Sequence, residues 1–190
     1  MKEPLKIGLL LNPVAGIGGS LAMKGSDGQQ ARDAAAEERS HGPSRCAGRV
    51  ERALQKLSGV EEQLIIHCWA GPMGEDVLRE SGFNYEVHGN AGAAITGPED
   101  TRLAASRPRE QGIDLLVFAG GDGTARDVYD AVGSDFPVLG IPAGVKMHSG
   151  VFAVSPEAAG ELLAILAQAG LVDLVLQEVR APAYRHKSAF

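Results

Sequence analysis

Two rhythms of apolar residues alternate along this chain. Short, nearly continuous apolar runs end in turn residues, and between them apolar positions recur at helical spacing. Leu5-Lys6-Ile7-Gly8-Leu9-Leu10-Leu11, closed by Asn12-Pro13, predicts a strand buried on both faces. Gln63–Cys68, Asp114–Ala119 and Pro137–Ile141 repeat the pattern. Tyr85-Glu86-Val87 is a shorter candidate strand, and Leu171–Val179 starts another. Val50, Ala53, Leu54 and Leu57 are spaced i, i+3, i+4, i+7, and Gly59 then stops the helix they predict. Glu75–Glu80 and Glu99–Ala105 read as further helices, the second ended or kinked by Pro108. Ala125, Val128, Tyr129 and Val132 predict a helix that begins at about Thr124. Ser155-Pro156 supplies an N-cap and a first-turn proline for a last helix, whose apolar face is Leu162, Leu163 and Leu166 and whose C-terminus is Gly170. Gly16–Ser44 has little periodicity and reads as a long loop with at most one short helix.

Strands that alternate with helices predict an α/β fold with a mostly parallel sheet flanked by helices. The expected organisation is one α/β domain over residues 1–170, with 171–190 starting a second domain or a C-terminal extension. In such sheets ligands bind outside the carboxyl ends of the strands. Asn12 and Gly120–Thr124 both fall there.

Composition narrows the partners. The chain has 190 residues, 44% hydrophobic, and a net charge of −6, which argues against the basic footprint that nucleic acid requires. No apolar stretch is long enough to span a bilayer, and Met1-Lys2-Glu3-Pro4 leads into a strand without a cleavage signature. Cys46 and Cys68 stand apart, as reduced thiols of a cytoplasmic protein do. His41, His67, His88 and His186 form no ligand pattern, and Trp69 reads as a packing residue.

Three segments carry candidate chemistry. In Gly120-Gly121-Asp122-Gly123-Thr124 the glycines allow close backbone approach, and a helix start aims free N–H groups at an anion. Asp122 would repel a phosphate. It makes sense if it holds Mg²⁺ or takes a proton from an attacking hydroxyl, or if it only shapes a tight turn. Asn12-Pro13-Val14-Ala15-Gly16-Ile17-Gly18-Gly19 is a second glycine-rich turn, yet it completes neither GxGxxG nor GxxxxGK[ST]. Gly140–Gly150 is the third, with Gly144, with Lys146 as a point charge for phosphate and with His148 as a hydrogen-bond donor. Two more glycine-rich turns, Lys24–Gly28 and Gly71–Asp76, are connections or lids.

Gly120-Gly121-Asp122-Gly123-Thr124 is similar to the signature shared by NAD kinases and the diacylglycerol and sphingosine kinases. Asn12-Pro13-x-Ala15-Gly16 resembles the first motif of that superfamily. With Ala22–Gly28, Phe118–Val132 and Gly140–Phe152, these residues resemble the ATP-NAD kinase-like branch that includes the AcoX-type proteins. The resemblance implies a Rossmann-like N-terminal domain and a cleft to a β-rich second domain, which is expected to be missing or truncated here because the sequence ends at Phe190. It implies transfer of phosphate from ATP, with Mg²⁺, to the 2′-hydroxyl of the NAD adenosine ribose to give NADP. Asp122 would activate that hydroxyl. Asn12, Gly120, Gly121, Gly123, Thr124, Gly144, Lys146 and His148 would contact nucleotide. A homo-oligomer is common in the family. A kinase for another hydroxyl substrate, or a nucleotide-binding module without catalysis, is the alternative.

Overall fold

The computed structural model describes residues 3–16, 44–91, 96–106, 110–144 and 147–169. Strands β1 (Leu5–Leu11), β2 (Leu64–Cys68), β3 (Tyr85–Val87), β4 (Leu115–Gly120) and β5 (Val138–Pro142) form one sheet in the order β3-β2-β1-β4-β5. Every pairing is parallel. Helices α1 (Arg45–Gln55), α2 (Glu75–Leu78), α3 (Pro98–Ser106), α4 (Asp122–Val132) and α5 (Pro156–Ala169) complete the α/β unit. The strand expected at 171–179, residues 17–43 of the expected loop with its turn Lys24–Gly28, and Pro108 lie outside the described residues.

The period-2 rule divides the core. Leu5, Ile7, Leu9 and Leu11 of β1 join Val50, Ala53 and Leu54 of α1 and Leu163 and Leu166 of α5 on one face. Leu10 turns to the other face and packs with Leu116 and Phe118 of β4, Ala104 and Ala105 of α3, and Val128 of α4. Burial on both sides explains why β1 and β4 read as continuous apolar runs. Trp69 is buried packing, as expected. Gly71–Asp76 is a connection: its 3₁₀ turn, Gly71–Met73, buries Met73, and Glu75 accepts the Gly71 N–H at 2.9 Å.

Two expectations need correction. Helix α4 starts at Asp122, two residues before the periodicity shows it, because glycines hide the first turn from an apolar count. On α5 the buried face is Pro156, Ala159, Gly160, Leu163, Leu166 and Ala167, while Leu162 is exposed. Ser155 does cap this helix, its Oγ accepting the Ala158 N–H at 3.1 Å.

Gly160 is where α5 meets α1. A Cβ there would collide with the Ala53 carbonyl oxygen and lie 2.8 Å from Lys56 Cβ. Gly to Ala inside a helix ordinarily stabilises by about 1 kcal/mol. Here overpacking against backbone costs about 1–3 kcal/mol and wins. Gly160→Ala is therefore expected to lower the urea midpoint, and a raised midpoint would refute the close approach.

Candidate functional site

β1, β2 and β3 run outward in one direction from the sheet centre, while β4 and β5 lie on the other side of β1. The order thus switches between β1 and β4, and sheets of this kind bind ligands outside the carboxyl ends at such a switch. Both glycine-rich motifs sit at this switch. The Asn12 N–H donates to the Ala119 carbonyl at 2.9 Å, continuing the sheet by one bond. The Asn12 side chain then works both ways: Oδ1 accepts the Val14 N–H at 3.1 Å, and Nδ2 donates to Thr124 Oγ1 at 2.9 Å. One amide therefore shapes the first turn and ties it to the start of α4.

Gly120 and Gly121 are needed for close approach. A Cβ on Gly120 would run into the buried Thr124 side chain. Gly121 faces Gly144, where a Cβ on Gly144 would come 2.8 Å from Gly121 Cα. The Gly120 carbonyl accepts the N–H groups of Ala143 and Gly144 at 2.9 and 3.1 Å, locking the loop after β5 to the loop after β4. Arg49 of α1 adds a cation at this end of the sheet, donating to the Pro142 carbonyl at 2.9 Å. The N-cap of α4 is Gly121, which has no side chain to bond the first turn. Among the described residues no N-cap side chain bonds the early N–H groups of α4, an arrangement that favours an anion.

Asp122 is the first residue of α4. Its Oδ1 accepts the Ser149 hydroxyl at 2.8 Å and the Ser149 N–H at 3.1 Å. Its Oδ2 accepts the His148 N–H at 2.9 Å. The loop after β5 returns to reach it because Gly140 pairs with Phe152: the Gly140 N–H donates to the Val151 carbonyl at 2.9 Å, and the Ala153 N–H to the Gly140 carbonyl at 3.0 Å. Burial opposes the charge on Asp122, but the Ser149 hydroxyl, the two N–H donors and the nearby His148 outweigh it and hold the carboxyl below its ordinary value. A depressed carboxyl stabilises the fold above its unfolded value and loses that contribution as pH falls through the folded value. The difference in urea midpoint between wild type and Asp122→Asn is expected to be flat near neutral pH and to shrink below about pH 3.8. A gap that stays constant through that range would show that charge does not hold the loop.

The structure brings together Asn12, Gly120, Gly121, Asp122, Gly123, Thr124, Gly144 and His148, the last through its backbone. Lys146 lies outside the described residues. Ser149 lies within the candidate segment Gly140–Gly150 without a motif of its own, and Arg49 carried no sequence signal, because it reaches the site from a distant segment. Cys46 and Cys68 are buried, and burial pushes both thiols up to about 12, so neither is a nucleophile at neutral pH. The histidines do require a correction. His67 of β2 and His88, the residue after β3, meet with Glu86 of β3. His41 and His186 lie outside the described residues. No helix among the described residues is long and apolar enough to cross a membrane.

Among curated proteins, none matches the chain. Residues 8–171 match the family model described as the ATP-NAD kinase N-terminal domain, a span that contains the Asn12 turn, the glycine-rich turn and the loop after β5. The chain therefore belongs to the ATP-NAD kinase family.

Proposed function

We propose that this chain carries the phosphate-handling and proton-accepting part of an ATP-dependent NAD kinase site, acting on the 2′-hydroxyl of the NAD adenosine ribose. The observation that carries the reading is the bonding of Asp122. A carboxylate offers about four lone-pair directions. Ser149 and His148 engage them through four contacts, the His148 N–H being shared between Oδ2 at 2.9 Å and Oδ1 at 3.2 Å, so among the described residues Oδ2 receives one donor and keeps one direction open. One open direction suits one donor hydroxyl. In this reading Asp122 takes the hydroxyl proton, and Mg²⁺ arrives on the phosphates of ATP with several of its waters retained.

The division of labour follows. Gly120, Gly121 and Gly123 let phosphate approach the first-turn N–H groups of α4. Asn12 and Thr124 fix the two turns relative to each other, and Gly144, Lys146 and His148 complete the nucleotide contacts. Asp122 aligns the ribose hydroxyl and accepts its proton as the oxygen bonds to the γ-phosphorus and ADP leaves. Phosphoryl transfer needs mostly positioning and charge stabilisation, which is what such a frame supplies.

One observation favours a second reading. The three donors on Asp122 would also suit a catalytically silent nucleotide-binding module in which Asp122 only anchors the loop. Incubating the full chain with ATP, Mg²⁺ and NAD separates the two. Formation of NADP and ADP in equal amounts is the expected result. Binding of both nucleotides without product would establish the module, and failure to bind either would overturn both readings.

A further inference from the structure

His67 lies on β2 and pairs directly with Glu86 on β3, and His88 follows two residues later on the same side of the edge strand. Three donor atoms meet there. His67 Nδ1 is 2.6 Å from His88 Nε2, 3.7 Å from Glu86 Oε2, and the last two are 3.5 Å apart. We propose that His67 Nδ1, His88 Nε2 and the Glu86 carboxylate form a binding site for a divalent transition ion of the Zn²⁺ class.

The geometry supports this directly. A triangle with sides 2.6, 3.5 and 3.7 Å has a circumscribed radius of about 1.9 Å. Zinc binds imidazole nitrogen and carboxylate oxygen at about 2.0–2.2 Å. An ion just above the plane of the three atoms therefore reaches all of them at bonding distance. The short edge must open, since the N···N separation across a tetrahedral ion is about 3.3 Å for such bond lengths. The rings are stacked at 4.7 Å with 28° between their planes, so a small splay provides the change.

The buried ring supplies an independent argument. His67 is 7% exposed, and its Nε2 meets no hydrogen-bond partner among the described residues. If the histidines only share a hydrogen bond, every tautomer leaves this buried nitrogen unsatisfied, which is costly. An ion on Nδ1 fixes the proton on Nε2, where a second partner ordinarily receives it.

The donor set selects the ion. Two imidazoles and one carboxylate suit Zn²⁺, Co²⁺ or Ni²⁺, whereas Mg²⁺ and Ca²⁺ prefer oxygen alone. Access is open, because the Glu86 side chain is 62% exposed. Three protein ligands leave a fourth position for water. The site stands on β2 and β3, while the proposed kinase chemistry stands at the ends of β1 and β4, so the two can be tested separately.

The test uses the full chain, stripped with a chelator and titrated with Zn²⁺ alone against a chromogenic competitor, with Co²⁺ absorption as a second probe. One Zn²⁺ per chain is expected, with a rise in thermal midpoint. His88→Gln and Glu86→Gln, each checked by circular dichroism, are expected to weaken binding by at least about tenfold and to abolish the rise. Glu86→Gln changes an exposed edge residue and keeps the test decisive if the histidine variant fails to fold. No Zn²⁺ binding by the wild-type chain, or equal binding by the folded variants, would overturn the proposal.

Discussion

Asp122→Asn is expected to lower the rate of NADP formation by about 10²–10⁴-fold, the range that a positioned proton acceptor contributes. Asparagine keeps the size of the side chain but replaces an acceptor oxygen by an N–H₂ donor. That donor must then face either the N–H groups of His148 and Ser149 or the ribose hydroxyl, and all of these are donors as well. The glycine-rich turn and the first-turn N–H groups of α4 are untouched, so KM for ATP is expected to change far less than kcat. A second variant isolates the proton role from the anchoring role. Ser149→Ala removes the hydroxyl 2.8 Å from Oδ1 while leaving the carboxylate and both backbone donors in place. It is expected to retain most of the activity. An Asp122→Asn enzyme within tenfold of wild type would refute the assigned role. A Ser149→Ala enzyme as slow as Asp122→Asn would mean that loop placement, not proton acceptance, limits the rate.

Phe118→Ala is expected to destabilise the fold by about 3–5 kcal/mol, the usual cost of deleting a buried phenyl ring. Domains of this kind are stable by only about 5–15 kcal/mol in total, so the loss is a large fraction. Phe118 is fully buried at the middle of β4. Its ring meets Phe152 edge-on at a centroid distance of 5.4 Å. Phe152 in turn lies over Gly140, where a Cβ would strike the Phe152 ring and come 3.1 Å from Phe118 Cζ. This stack seats the segment that carries His148 and Ser149 to Asp122. Loss of the ring should therefore reach beyond stability and slow catalysis in molecules that remain folded. Urea unfolding gives the first quantity, with an unchanged m-value as the check on two-state behaviour. A loss under about 1 kcal/mol would contradict close packing around the ring.

Local pattern made much of the architecture legible. Continuous apolar runs at Leu5–Leu11 and Leu115–Gly120 read as strands covered on both faces, and both are interior strands of the sheet. Ser155 announced its helix because a capping hydroxyl acts within three residues of itself. The motifs around Asn12 and Gly120 were readable for a similar reason. Glycines that permit close approach, and an amide that bonds its own turn, act on near neighbours and leave a mark in consecutive residues.

Other features left no such mark. The first turn of α4 escaped the apolar count because helical spacing needs side chains to register, and Gly121 and Gly123 have none. Leu162 fits the apolar face of α5 by residue type, yet α1 lies against Gly160 and Leu163 instead. The direction from which a neighbour approaches is not written in a helix's own periodicity.

Periodicity and backbone freedom over a few residues specify the α/β class, the five strands of the described sheet and the two glycine-rich turns. What the polar groups do depends on how distant segments meet in the fold. Ser149 reaches Asp122 across 27 residues, and Asn12 reaches Thr124 across 112. His67 and Glu86 share a register only because β3 adds to the edge of β2. Hydrogen bonds and ligand sets depend on distances of about 3 Å, and the parallel crossovers that set those distances join segments with no local pattern in common.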